Sequence, residues 1–185
     1  MKISKTFFNG SIKLIELNKY SDNRGFFYES YNRLKIDDLN LNTNFVQDNL
    51  SYSKKKGVIR GLHFQIPPMS QIKLISVLRG KVLDVFVDLR RNSITYGKHE
   101  KIVLSENDNF NLYIPDGFAH GFSVLENKTL VLYKTSNYYS LKHEKTIIYN
   151  DEYLNIDLKI NISKTISNKD ENGMKFKELN TPFKI

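Results

Sequence analysis

The chain has 185 residues, a formal net charge of +8, 40% hydrophobic residues with twelve Phe and eleven Tyr among them, and no cysteine. That length suits one domain around one core, residues 1–185; the apolar content excludes an intrinsically disordered chain, and the missing cysteine excludes a disulfide framework, a thiolate metal site and a cysteine nucleophile. The lysines are spread among Asn and Ile, with Lys54-Lys55-Lys56 as the densest cluster, so the positive field suits a small anionic ligand and not nucleic acid.

Residues 1–10 lack the apolar stretch of a secretory signal, and no later run approaches the ~20 apolar residues of a membrane span. The expectation is a soluble cytoplasmic protein with no membrane partner. Asp22-Asn23-Arg24-Gly25 has the composition of a β-turn. Helical periodicity is confined to a short stretch near residues 31–39. From about residue 58 to 135 the pattern changes to period-two alternation between turn signals, which predicts a mainly β protein.

The clearest unit is a hairpin, with strands at 71–78 and 81–88 joined by Arg79-Gly80. Along its second strand Val82, Asp84, Phe86 and Asp88 share one face. Carboxylates on a partly apolar face suggest a polar cavity. Further strands are expected at 98–104, 110–114, 120–125 and 129–135, which implies a sandwich or barrel. From about residue 150 the chain turns polar and irregular and reads as a wrapping tail.

Chemistry concentrates in two segments. Gly57-Val58-Ile59-Arg60-Gly61-Leu62-His63-Phe64-Gln65 puts His63 and Gln65 on one face of a strand, and Tyr113-Ile114-Pro115-Asp116-Gly117-Phe118-Ala119-His120-Gly121-Phe122 places His120 after a Pro-Gly turn. Two such motifs flanking a hairpin match the double-motif arrangement of cupin barrels. Metal-binding cupins usually carry His-x-His and a downstream Glu in the first motif. Here Gln65 takes the second His position and no Glu lies between residues 65 and 99, leaving too few donors for a first-row metal. No metal and no cofactor are expected.

Beyond these two segments, Asp22-x-Arg24-Gly25-x-Phe27-x-Glu29, Gln47-Asp48-Asn49-x-Ser51, Gln71-x-Lys73-Leu74, Tyr133-Lys134, Tyr138-Tyr139, Glu144 and Ser167-Asn168-Lys169-Asp170 follow in order along almost the whole chain. In this order and spacing the chain resembles the dTDP-4-dehydrorhamnose 3,5-epimerase family of the cupin superfamily. The resemblance implies an all-β, cupin-type jelly-roll barrel and an isomerase that inverts C3 and C5 of a dTDP-linked 4-keto-6-deoxy sugar. A proton beside a ketone is too weak an acid for water at neutral pH, so such a reaction needs a base and a group to hold the enolate charge.

By resemblance His63 is the base, Asp170 the carboxylate fixing its tautomer, Lys73 the enolate stabiliser and Tyr133 the acid on the opposite face. The resemblance likewise assigns Arg24 and Arg60 to the pyrophosphate, and Phe27, Glu29, Gln47, Asp48 and Asn49 to other substrate contacts. Tyr139 matches the ring that stacks on the nucleobase, and His120, Glu144 and Lys169 complete the contacts. It also implies a homodimer whose subunits share active sites. Three positions where the family commonly carries Trp hold His99, Tyr149 and Lys159 instead. These departures leave open inversion at one carbon only, another nucleotide-linked 4-keto sugar, or a non-catalytic sugar-nucleotide binder.

Overall fold

The computed structural model describes residues 1–159 and 164–185. In chain order the strands are β1 (Lys2–Phe7), β2 (Ile12–Glu16), β3 (Tyr20–Asp22), β4 (Gly25–Phe27), β5 (Gln47–Ser53), β6 (Ile59–Gln65) and β7 (Lys73–Arg79). They continue as β8 (Lys81–Asp88), β9 (His99–Ser105), β10 (Phe110–Ile114), β11 (Phe118–Val124), β12 (Thr129–Thr135) and β13 (Glu144–Thr146). Two short α-helices, α1 (Arg33–Asp37) and α2 (Asn168–Glu171), and a 3-10 turn at Phe176–Glu178 complete the regular structure of the described residues.

A six-stranded sheet, β1-β2-β10-β7-β12-β5, faces a five-stranded one, β13-β6-β11-β8-β9. This is the expected all-β jelly roll, every pairing between these strands being antiparallel. The 73–79/81–88 hairpin turns at Gly80, whose φ of +76° and close approach to Thr129 leave no room for a Cβ. The predicted helix shrinks to α1, with the Asn32 side chain accepting from Lys35 N–H at its start. The expected strand at 120–125 begins earlier, at Phe118, directly after Gly117 with φ +82°.

Between the sheets, Phe7, Phe8, Ile75, Val82, Phe86 and Leu112 belong to one apolar cluster. A second cluster lies on the other face of β8, where Leu83, Val85, Val87 and Leu89 pack with Ile147, Leu154, Phe176 and Phe183 of the C-terminal region. Both faces of β8 are thus buried, and the wrapping tail is what covers the second. Asp151 pins it: one carboxylate oxygen accepts from Tyr153 N–H (3.0 Å) and Leu154 N–H (2.9 Å), the other from Phe176 N–H (2.8 Å).

The tail then returns to the five-stranded sheet. Thr165 forms a parallel bridge with Val58, and the Ser167 side chain caps α2 by accepting from Asp170 N–H. That docking sets Lys169 and Asp170 beside β6.

Candidate active site

All but four of the sequence-predicted site residues border one cavity of about 1120 Å³, a size suited to a ligand larger than a single sugar. The exceptions are Arg24, Phe27, Glu29 and Asp48. Period-two alternation explains the last: Gln47 and Asn49 share the face of β5 that lines the cavity, and Asp48 takes the other face, where it pairs with Lys134 at 2.9 Å. Arg24, on the exposed β3–β4 hairpin, pairs with Asp22 at 2.6 Å. Phe27 is 67% exposed, and Glu29 pairs with Lys35 and Asn32. Within one chain these four expected substrate contacts do not reach the cavity.

His63 and Arg60 both border it although they are three apart on one strand, a spacing that puts side chains on opposite faces of a regular β-strand. The register supplies the reason. Arg60 pairs with Phe122 and His63 with His120, so three steps on β6 match two on β11, which is a bulge. Gly61 and Gly121 sit at that bulge, and a Cβ on Gly61 would lie 2.5 Å from the Gly121 Cα.

Asp170 fastens the same place. One oxygen meets His63 Nε2 at 2.6 Å and the other accepts from Gly61 N–H at 3.2 Å. Burial pushes the Asp170 carboxyl up, but the His63 and Gly61 bonds outweigh it and hold the pKa below the ordinary value. An ionised Asp170 accepts Nε2–H, which leaves the lone pair of His63 on Nδ1.

On the opposing sheet stand Lys73 and Tyr133. Lys73 is 8% exposed and donates to the His63 carbonyl at 3.1 Å. Burial lowers its pKa to about 8, with Asp84 and Glu144 opposing the fall. Burial raises the Tyr133 pKa, so its hydroxyl keeps its proton at neutral pH. His63 on one sheet and Tyr133 on the other therefore approach the cavity from facing walls.

Around them the remaining polar groups are tied together. Glu144 accepts from Lys169 Nζ at 2.8 Å and from the Tyr139 hydroxyl at 2.9 Å. Arg60 donates from Nε to Ser53 Oγ (3.3 Å) and from Nη2 to the Tyr52 carbonyl (3.1 Å). Lys54, Lys55 and Lys169 add positive charge along the cavity lining, a field that draws anionic ligands.

Gln65, at the position of the second cupin histidine, is committed elsewhere. Its amide nitrogen donates to the Met69 and Tyr138 carbonyls and its oxygen accepts from Ser140 N–H at 2.7 Å. Asp88 is likewise structural, organising its loop through Arg90, Ser93 and Thr95. Sequence reasoning left out Ser53, which props Arg60; it lies past the Gln47-Asp48-Asn49-x-Ser51 motif, and no local pattern singles it out. Of the missing tryptophans, Tyr149 fills its site as a buried ring under Lys164, and His99 is half-buried on β9. Lys159 is exposed, with φ +53°, and the tail beyond it still delivers Asp170.

A family model described as dTDP-4-dehydrorhamnose 3,5-epimerase matches residues 8–178. The dTDP-4-dehydrorhamnose 3,5-epimerase of Shigella flexneri is 42% identical over 166 residues, 89% of this chain and 91% of that protein. The Bacillus anthracis enzyme of the same name, solved with TDP and PPi bound, superimposes with a TM-score of 0.91 at 42% identity, over 94% of this chain and 98% of that one. A Legionella pneumophila dTDP-6-deoxy-D-glucose-3,5-epimerase in complex with dTDP-4-keto-L-rhamnose gives a TM-score of 0.90 at 40% identity, covering 95% and 93%. With fold, motif order and near full-length similarity in agreement, this chain is a member of the dTDP-4-dehydrorhamnose 3,5-epimerase family.

Proposed function

We propose that the protein inverts C3 and C5 of dTDP-4-keto-6-deoxy-D-glucose to give dTDP-4-keto-L-rhamnose, by proton abstraction and return through an enolate. The observation that carries this reading is the facing pair of His63, held by Asp170 on one wall, and protonated Tyr133 on the other. Inversion requires a base on one face of the sugar and an acid on the opposite face. His63 Nδ1 takes the proton on carbon beside the ketone, the electron pair moves onto the ketone oxygen, and the buried Lys73 ammonium stabilises the resulting charge. Tyr133 then protonates the same carbon from the other side.

Arg60 and the lysines of the cavity lining account for the diphosphate, and Tyr139, 52% exposed at the cavity, for stacking on the base. Arg24, Phe27 and Glu29 enter this scheme from a second subunit. Two exposed apolar surfaces support a homodimer: the β3–β4 hairpin, with Tyr20, Phe26 and Phe27 more than half exposed, and edge strand β5, with Leu50 63% exposed. Cytoplasmic location belongs to the same reading, because a nucleotide-linked sugar is a charged solute that does not cross a membrane unaided.

Incubation with dTDP-4-keto-6-deoxy-D-glucose in deuterated water, followed by proton NMR, tests the reaction. Deuterium is expected at both C3 and C5; incorporation at one carbon reduces the activity to a monoepimerase, and none at either refutes catalysis on this sugar. Tyr133→Phe is expected to depress formation of the inverted product more than it depresses exchange, because it removes the second proton transfer and leaves the first.

Shared sites have their own test. Mixing inactive Arg24→Ala with inactive His63→Ala protein allows mixed dimers in which one of two sites has both native residues, so about a quarter of wild-type activity should return. No recovery after subunit exchange would mean that Arg24 serves its own chain or none.

A further inference from the structure

Asp84 lies on β8 with no exposed surface, on the same face as Val82 and Phe86 of the apolar cluster. It does not border the cavity, whereas His120 and Lys73 do. Burying a carboxylate among apolar side chains is costly unless its charge is met. Its hydrogen-bond partner among the described residues is His120, whose Nε2 meets both carboxylate oxygens, at 3.0 and 2.9 Å. One imidazole N–H is a small complement for a buried anion with two oxygens, which leaves charge for a nearby cation to balance.

Lys73 is placed for that role: its Nζ donates to the His63 carbonyl at 3.1 Å, and His63 pairs across the strands with His120, whose ring Asp84 holds at 2.9 Å. The charged and titratable groups facing Lys73 are Asp84 on β8, Glu144 on β13 and Lys169 on α2, with the His63 carbonyl of β6 as hydrogen-bond acceptor and His120 of β11 alongside. Among these charges Asp84 is the strongest support for the ammonium form. His120 is bonded to Asp84 through its ring and paired with His63 along β11 and β6, and burial disfavours its imidazolium form.

We propose that Asp84 is a positioning residue for these two groups of the cavity wall, holding His120 as the Nε2–H tautomer and providing the counter-charge for the Lys73 ammonium. His120 then offers Nδ1, which has no hydrogen-bond partner among the described residues, as a neutral acceptor for a sugar hydroxyl. Lys73 keeps the proton that a cation at the enolate oxygen requires. This assignment rests on the proposed reaction, and it explains why a fully buried charge sits between Val82 and Phe86 on that strand face.

Asp84→Asn separates the two effects. Asparagine keeps an oxygen to accept from His120 Nε2–H but removes the charge, so Lys73 loses its proton at lower pH. Lys73 carries its proton below about pH 8 in the native protein, and the high-pH fall in kcat should therefore begin about one unit lower in the variant. Asp84→Leu removes the acceptor as well, and KM should rise in addition. Superimposable pH profiles for Asp84→Asn and the native enzyme would overturn the proposal.

Nuclear magnetic resonance on the free native protein reads the same claim without turnover and without any variant. Nitrogen-15 histidine spectra should find His120 protonated at Nε2 and bare at Nδ1 at neutral pH; an imidazolium or an Nδ1–H tautomer would refute it. If the dTDP sugar shows no exchange while His120 has the expected tautomer and Lys73 titrates near pH 8, the proposed reaction fails and the Asp84 anchor stands.

Discussion

His63→Ala is expected to abolish deuterium incorporation at both C3 and C5 and to lower kcat by about 10²–10⁴-fold, the usual contribution of a positioned general base. Both carbons should fail together, because His63 is the cavity imidazole that Asp170 fixes, whereas the ring of His120 is bound to Asp84. Substrate affinity should change little, since the groups assigned to the diphosphate and base are separate side chains. The His63 side chain is 27% exposed, so its removal leaves no large core void, and circular dichroism with a melting curve should find the fold intact. Exchange at the native rate in this variant would remove His63 from the mechanism altogether.

Gly61→Ala carries the largest expected effect on stability, about 3 kcal/mol or more. Two strains coincide there. The residue has φ +117°, which L side chains rarely adopt, and its Cβ would stand 2.5 Å from the Gly121 Cα and 2.8 Å from the His120 carbonyl oxygen. Both obstacles are backbone, so no rotamer change relieves them. Relaxation must push β6 away from β11, and that displaces the Gly61 N–H bonded to Asp170 together with His63 two residues on. Urea denaturation should register the loss and the exchange assay a matching drop; a change below about 1 kcal/mol would mean that the strands do not approach as described.

The two variants act on one piece of structure. A β-bulge supplies the extra residue that turns Arg60 and His63 to the same side, the glycine pair admits the bulge, and Asp170 bonds to it and to the imidazole at once. Altering any of these three changes the others, so effects of combined substitutions at residues 61, 63 and 170 should fall well short of additive.

Strands from residue 58 to 135 were legible because apolar residues recur along them with period two or, as in β8 and β11, dominate a short run that is buried on both faces. β1 was not, since it is an edge strand with five of its six residues exposed, and its Lys2-Ile3-Ser4-Lys5-Thr6 carries no burial signal. β5 escaped for a sharper reason. Its inward residues Gln47, Asn49 and Ser51 are polar and line the cavity, while its apolar Leu50 and Tyr52, which also border it, are exposed, so the alternation is the reverse of a core strand's. The family motifs compensated, naming Gln47 and Asn49, but they also named Asp48, which alternation sends to the other face.

The amino-acid order by itself determined the family, the all-β class and the residue types available for proton transfer, since these depend on motif spacing and local periodicity. Only the tertiary structure decided which of those residues meet. His63 and Asp170 are 107 positions apart and touch because a tail docks on a sheet. Arg24, on an exposed hairpin, and Glu29, two residues past it and paired with Lys35 of α1, carry the same kind of motif signal but stay with partners in their own segment of the chain. Such pairings arise from packing between segments distant in the chain, for which local pattern carries no term.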